Sequence, residues 1–405
     1  MEDINIKANN EDINIKANNE DSNINSILVF EYYTATGDKD PKIISEAVAL
    51  TDSLLKDLSY FINSNSFEVT FLVSNDFKDL GIDYGYDDNH KIVFDGRLEK
   101  WLDENIAKFD SCIFIAAEEN MNLYNLTKLI ESKGVKIYGS DSNSTLICSD
   151  KFLTFQHLKN TVNQPKTFKF TTDEDTKWEL AIKNILESID SEDNNNNGNN
   201  GDNNNNNNFK LIVKPLNGVD CQDIVLISDI SDIAKIKDIY PVNSEILVQE
   251  FIHGENVSVS LISDGDIAIP ISLNKQYLEI NKENQRYCGG ELPYNHPLKV
   301  ETFLIAKKAV ESIKGLKGFL GVDLIIRDSE TYDDLNNIND SIFLLEINSR
   351  FTTPYVGLSK IAKFNIGKTI IEKLDGKMFS CGTYKLDDNH VKFIKKGNDL
   401  DIEFF

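Results

Sequence analysis

No stretch of this chain reaches the roughly 18 consecutive apolar residues that suggest a membrane span. The N-terminus is polar and lacks the apolar core of a signal peptide. Cysteine is scarce: five in 405 residues, at Cys112, Cys148, Cys221, Cys288 and Cys381. There is no Cys-x-x-Cys pair and the total is odd, which argues against a disulfide framework or a zinc ribbon and suits a reducing cytosol. The five histidines show no metal-ligand spacing. Positive charge is also short. Against 66 Asp and Glu stand 42 Lys and Arg, a net charge of −24, so a nucleic-acid backbone would be repelled over most of the surface. No Gly-x-Gly-x-x-Gly follows the first apolar segment, so a dinucleotide fingerprint is missing. The expectation is a cytoplasmic protein with small-molecule partners, no nucleic acid and no membrane. A homodimer is left open. A small anionic ligand is not excluded, since a few local lysines and a metal ion can hold one.

The length suggests two or three domains. Residues 1–25 read as a disordered tail, because Glu2–Asn10 repeats identically as Glu11–Asn19 and is too polar to build a core. Residues 26–149 read as an α/β domain. Strands are expected over Ile27–Tyr33, Phe67–Val73, Ser111–Ala117 and Val135–Tyr138, with helices over Pro41–Asn63 and Leu123–Ser132. That alternation indicates a parallel sheet with helices on both faces. Residues 150–252 read as a smaller unit. A helix starts near Ser149, a suitable N-cap, and another is expected over Asp175–Ser188. Strands follow near Thr167–Phe170, Lys210–Lys214, Ile224–Ile227 and Ile246–Phe251. The Asn tract 193–208 inside this unit cannot bury a core and reads as a disordered loop. Residues 253–405 carry two further strands, a helix over Leu298–Lys314, and a final pair of apolar strands.

That final pair holds the chemistry. Phe319–Ile326 and Ile342–Arg350 are short apolar runs interrupted by polar groups that packing alone does not require. Asp323 interrupts the first. Glu346, Asn348 and Arg350 follow at two-residue spacing in the second, which puts them on one strand face. Singly, each is more often a strand-end or solvent-facing residue. Together, two carboxylates and an amide oxygen form a hard donor set for Mg²⁺ or Mn²⁺, one or two ions, with a guanidinium beside a phosphoryl group in transfer. Upstream, Lys214 ends the strand Leu211–Pro215 and precedes a turn, Leu216–Gln222, able to expose backbone N–H groups. Lysine and turn amides make a phosphate cradle, though the same lysine could simply reach for water.

Lys151, Lys214, Gln249-Glu250-Phe251-Ile252, Gly254-Glu255, Asp323 and Glu346-Ile-Asn-Ser-Arg350 form a series that resembles the ATP-grasp superfamily from about residue 27 onward. The resemblance implies an ATP-grasp fold of mixed α/β and α+β class. It has an N-terminal Rossmann-like (pre-ATP-grasp) domain, a small lid and a C-terminal catalytic unit. It implies that Lys151 and Lys214 reach the phosphates of ATP. Gln249, Glu250, Phe251 and Ile252 bind ATP, with Glu250 and Ile252 meeting the adenine edge largely through backbone; Glu255 takes the ribose, and Asp323, Glu346 and Asn348 hold the metal. Within the superfamily, further stretches resemble the archaeal tyramine–L-glutamate ligase family of methanofuran biosynthesis. These are Val29–Gly37, Leu123–Glu131, Pro165–Phe168, Ser272–Tyr277, Gly289–Glu291 and Glu346–Thr353. They imply an ATP-dependent carboxylate–amine ligase working through an acyl phosphate, with Arg350 and Lys275 as catalytic and carboxylate-binding cations. Tyr33, Tyr277 and Phe351 are the aromatic walls for a phenol. A ligase for another acid and amine, or a non-catalytic ATP-binding regulator, would carry much of the same series.

Overall fold

The computed structural model describes residues 25–41, 43–64, 66–196, 209–217, 223–281, 285–328, 341–377 and 384–405. The repeated tail up to residue 24 and most of the turn after Lys214 lie outside them. The described strands form three sheets. The first is parallel, with β1 (Ser26–Glu31), β2 (Glu68–Ser74), β3 (Lys91–Phe94), β4 (Ser111–Ile115) and β5 (Lys136–Ile137) in the order β3-β2-β1-β4-β5. Its central strand reads as a continuous apolar run because both faces are covered. Alternation sends Ile27 and Val29 into one core and Leu28 and Phe30 into another.

The first strand ends earlier than expected. Tyr32–Thr36 is a short helix, capped by Glu31, whose carboxylate accepts from the amides of Tyr33 at 3.0 Å and Thr34 at 2.8 Å. Gly37 closes it at φ 75°, a left-handed conformation that glycine adopts without a Cβ clash.

The second sheet is antiparallel: β6 (Thr167–Thr171), β7 (Leu211–Pro215), β8 (Val225–Ile227) and β9 (Glu245–Glu250), in the order β6-β9-β7-β8. Helix Lys177–Asn196 covers it and runs four residues into the Asn tract. The rest of that tract lies outside the described residues.

The third sheet is also antiparallel. It contains β10 (Gly254–Asp264), β11 (Ala268–Ile280), β12 (Gln285–Leu292), β13 (Lys317–Arg327), β14 (Ile342–Asn348), β15 (Val391–Lys396) and β16 (Asp399–Phe404), ordered β14-β13-β10-β11-β12-β15-β16. Helix Lys299–Ser312 covers one face, where Leu320, Val322, Leu324 and Ile326 of β13 are buried. The opposite face of β13 carries Phe319, Gly321, Asp323 and Ile325. Gly321 is needed there for space, since a Cβ would stand 2.9 Å from Thr352 Cγ2. Sequence reading missed β3, β12, β15, β16 and the helices Pro354–Ile361 and Ile366–Leu374.

Candidate active site

A cavity of about 580 Å³ opens where the three sheets meet. Asp323 and Glu346 face each other in register on β13 and β14. Strict alternation from Leu344 would have put Glu346 under the helix with that residue. A bulge prevents this: Asp323 pairs with Glu346 but Leu324 with Leu344, so Leu345 is an extra residue. The bulge brings Glu346 round to the Asp323 side, a common device beside active sites. Asn348 Nδ2 donates to Asp323 Oδ2 at 3.0 Å, and Gln276 Nε2 of β11 donates to Asp323 Oδ1 at 2.9 Å.

Two lysines approach this pair. Lys151 opens the helix Lys151–Leu158, and its Nζ lies 3.2 Å from Glu346 Oε2. The N-cap of that helix is Asp150, whose carboxylate accepts from Phe152 and Leu153 N–H. Ser149 ends the preceding helix instead. Lys214 of β7 lines the same cavity. Burial would raise the Glu346 carboxyl, but the charges of Lys151 and Lys214 outweigh it and hold Glu346 well below the usual range. Asp323 is pushed the other way, up to about 8, by burial and by the charge of Glu346. Two half-buried carboxylates paired across the strands, one of them forced upward, mark a site short of positive charge, and so these residues fit a divalent cation. Among the described residues no group of three or more His, Cys, Asp or Glu surrounds a metal position. The donor set here is two carboxylates and an amide.

Gln249, Glu250, Phe251 and Ile252 also line the cavity, beside Ile212, Leu226 and Ile325. The N–H groups of Glu250 and Phe251 are spent on Lys166 O and Lys210 O, so neither is a donor for a base. Arg350 lies two residues past the end of β14 rather than on it. Its Nε is 2.6 Å from Glu118 Oε2, a residue just after β4 of the first sheet.

Two expected site residues fall elsewhere. The alternation that brings Asn256, Ser258 and Gln276 to the cavity turns Glu255 and Lys275 away from it. Lys275 Nζ sits 3.6 Å from Glu255 Oε2 and 4.8 Å from the Tyr294 ring centre. Of the three expected aromatic walls, Tyr33 lines the cavity. Phe351 is core, stacked on Phe319 at 5.3 Å, and Tyr277 donates to Glu291 instead. Residues that sequence reading missed are Glu31, Glu46, Glu118 and Gln276, all in the cavity wall. Glu31 and Glu118 had a signal: each is an acid at the carboxyl end of a parallel strand, the edge where open α/β sheets bind ligands.

The ATP-grasp domain family matches residues 148–354, which include Lys151, Lys214, Asp323, Glu346, Asn348 and Arg350. The chain belongs to the ATP-grasp superfamily. The tyramine–L-glutamate ligase of Methanocaldococcus fervens is 32% identical over 366 residues, covering 87% of this chain and 99% of that protein. The tyramine–L-glutamate ligase of Methanocaldococcus jannaschii is 33% identical over 82% of this chain and 84% of its own. Among solved structures, biotin carboxylase from Campylobacter jejuni in its β,γ-ATP complex superposes with a TM-score of 0.65. It is 15% identical and covers 92% of this chain and 75% of that one, a likeness of fold. This ATP-grasp protein binds ATP and is an ATP-dependent ligase that forms C–N bonds between an acid and an amine. No helix among the described residues is long and apolar enough to cross a membrane.

Proposed function

We propose that this enzyme joins the side-chain carboxyl of L-glutamate to tyramine, giving γ-glutamyltyramine, ADP and phosphate. The observation that carries the chemistry is the meeting of Lys151 and Lys214 with the Asp323–Glu346 pair in one cavity. The substrates are supported by similarity along most of the chain to two tyramine–L-glutamate ligases.

A carboxylate is a poor electrophile at neutral pH. When its oxygen attacks the γ-phosphorus of ATP, ADP leaves and an acyl phosphate forms. The amine then attacks the acyl carbon, and phosphate departs with one former carboxylate oxygen. Asp323, Glu346 and Asn348 would hold Mg²⁺ or Mn²⁺, one or two ions, which when bound supply charge neutralisation on the phosphates. Lys151 and Lys214 take the remaining phosphate charge. Gln276 and Asn348 fix the orientation of the Asp323 carboxyl. Arg350 is held by Glu118 and serves the charge that develops on the transferring phosphoryl group or on the oxyanion. The apolar slot of Ile212, Leu226, Phe251 and Ile252 takes the base. The second sheet closes over the site and keeps water from the acyl phosphate.

The test is a reaction with L-glutamate, tyramine, ATP and Mg²⁺, read by ADP formation and product mass. A product of glutamate plus tyramine less one water, with its α-amino and α-carboxyl groups free, is expected. Efficient product with another amine and none with tyramine would remove the assignment.

A further inference from the structure

One wing of the cavity is acidic. It is built by Glu31 at the end of β1, Glu118 just past β4, and Glu46 on the helix Ile44–Ser64. β1 is the strand from which the first sheet runs outward both ways, β2 and β3 on one side, β4 and β5 on the other. The crevice beyond the carboxyl ends at such a reversal is where open parallel sheets take ligands. Among the described residues of this wing, three carboxylates meet one cation, Arg350. Its guanidinium gives Nε to Glu118 Oε2 at 2.6 Å and Nη1 to the Phe351 carbonyl at 3.1 Å. The Glu118 side chain is 9% exposed, and while its Oε2 pairs with Arg350, its Oε1 has no hydrogen-bond partner among the described residues. A buried charged acceptor left unpaired is costly, and a donor arriving with a ligand would relieve it. Glu31 already accepts two backbone N–H bonds and feels the charge of Arg350, and burial still pushes its carboxyl up to about 7.

We propose that this acidic wing is the amine subsite, and that it selects an amine free of any carboxylate over the corresponding α-amino acid. Glu118 and Glu31 receive the ammonium group. Glu46, whose carboxylate accepts from the Thr353 hydroxyl, raises the negative field further. An α-carboxylate beside the ammonium would face the like charges of Glu118 and Glu46, with Arg350 shared between Glu118 and the reacting groups, so specificity comes from repulsion as much as attraction. Tyr33, on the helix that Glu31 caps, flanks the same wing and supplies an aromatic surface for the body of the amine. This inference rests on the ligase reading and deepens it.

The test uses the full-length protein with ATP, Mg²⁺ and L-glutamate, comparing tyramine with tyrosine as nucleophile in wild type, Glu118→Gln and Glu46→Gln. Thermal melting verifies that both variants fold. Wild type is expected to favour tyramine strongly. Glu118→Gln should raise KM for tyramine by roughly tenfold or more, the loss of one charged hydrogen bond, while KM for ATP and for glutamate stay near wild type. Glu46→Gln, which leaves the Glu118–Arg350 ion pair in place, should narrow the tyramine-to-tyrosine ratio of kcat/KM by relieving repulsion. Unchanged tyramine KM and unchanged ratio in folded variants would overturn the proposal, as would a rise in KM for glutamate instead. If tyramine is no substrate but another carboxylate-free amine shows the same responses, the subsite stands and the tyramine assignment falls. A wild type that accepts only amino acids as nucleophiles overturns the subsite and leaves the ligase. No product with any amine overturns both.

Discussion

The first and third sheets share one core, whereas the second sheet keeps its own. Ile27, Val29 and Phe71 of the first sheet are buried with Phe319, Val391 and Phe393 of the third and with Tyr355 between them. Polar contacts reinforce that seam: Asp57 Oδ2 accepts from Tyr355 at 2.8 Å and from the Gly367 amide at 3.0 Å, and Arg350 reaches Glu118. The second sheet instead packs Val213, Val225, Ile246 and Val248 against Trp178, Ile182 and Leu186 of its own helix. Its ties to the third sheet include a small cluster of Ile252 with Ile325 and Phe343, and the bond of His253 to the Phe209 carbonyl. The wall that carries the carboxylates and Arg350 is therefore fixed by the global fold. The wall that carries Lys214 rides on a separately cored unit, as a closing element must.

The largest effects are expected on the fixed wall. Asp323→Asn and Glu346→Gln should each lower turnover by about a thousandfold or more, since both act on the same phosphoryl transfer. Circular dichroism should be unchanged. The melting temperature of Asp323→Asn without metal at neutral pH should equal or exceed that of wild type, because folding no longer has to protonate a carboxyl pushed up to about 8. Near-normal turnover at saturating metal would remove either residue from the site.

Next come the lysines. Lys151→Ala and Lys214→Ala should raise KM for ATP by on the order of ten- to a hundredfold, losing a charged phosphate contact. An effect at Lys151 alone would mean that the second sheet does not close on the phosphates.

Core truncations separate the walls directly. Phe319→Ala, in the shared core, should cost about 3–5 kcal/mol of global stability. Ile246→Ala, fully buried in the second sheet, should cost about 2–5 kcal/mol locally. It should speed amide exchange in β7 and β9 while leaving exchange in β1 and β13 near wild type. Equal loosening of all four strands would show one cooperative unit.

The smallest effect concerns Asp57 at the seam. Burial raises its carboxyl to about 6 in the folded chain against an ordinary 3.8. The folded state then binds this proton more tightly, so the contribution is full below about pH 4 and is lost as pH rises through about 6. Asp57→Asn should remove a pH-dependent term of about 3 kcal/mol across that window, measured by denaturant unfolding against wild type. A wild-type and variant difference that is flat from pH 4 to 7 would show that Asp57 does not titrate there.

The sequence exposed most of the candidate site, whose proposed chemistry sits in short, strongly apolar strands. Asp323 and Glu346 stand out there as misfits, and Lys151, Lys214 and Gln249–Ile252 follow at family spacing. Three things were hidden. The bulge at Leu345 leaves no mark in composition, so counting by twos reached the right face for Glu346 only by starting within Glu346–Arg350. Glu255 and Lys275 look like ligands by resemblance, and only the pairing of β10 with β11 shows them turned away. Glu31 and Glu118 lie far from the family motif in sequence, and the order of the parallel sheet is what brings them to the cavity. The hairpin β15–β16 and edge strand β3 were missed because their burial is partial and their alternation weak.

The most direct test of the central claim is the fate of carboxylate oxygen. L-Glutamate labelled with ¹⁸O in its side-chain carboxyl is turned over with tyramine, ATP and Mg²⁺, and the released phosphate is analysed by mass. Attack of that carboxylate on the γ-phosphorus, followed by displacement by the amine, transfers one ¹⁸O to each phosphate and leaves one in the amide. Phosphate without label, or with no dependence on turnover, would contradict activation of the acid as an acyl phosphate at this site.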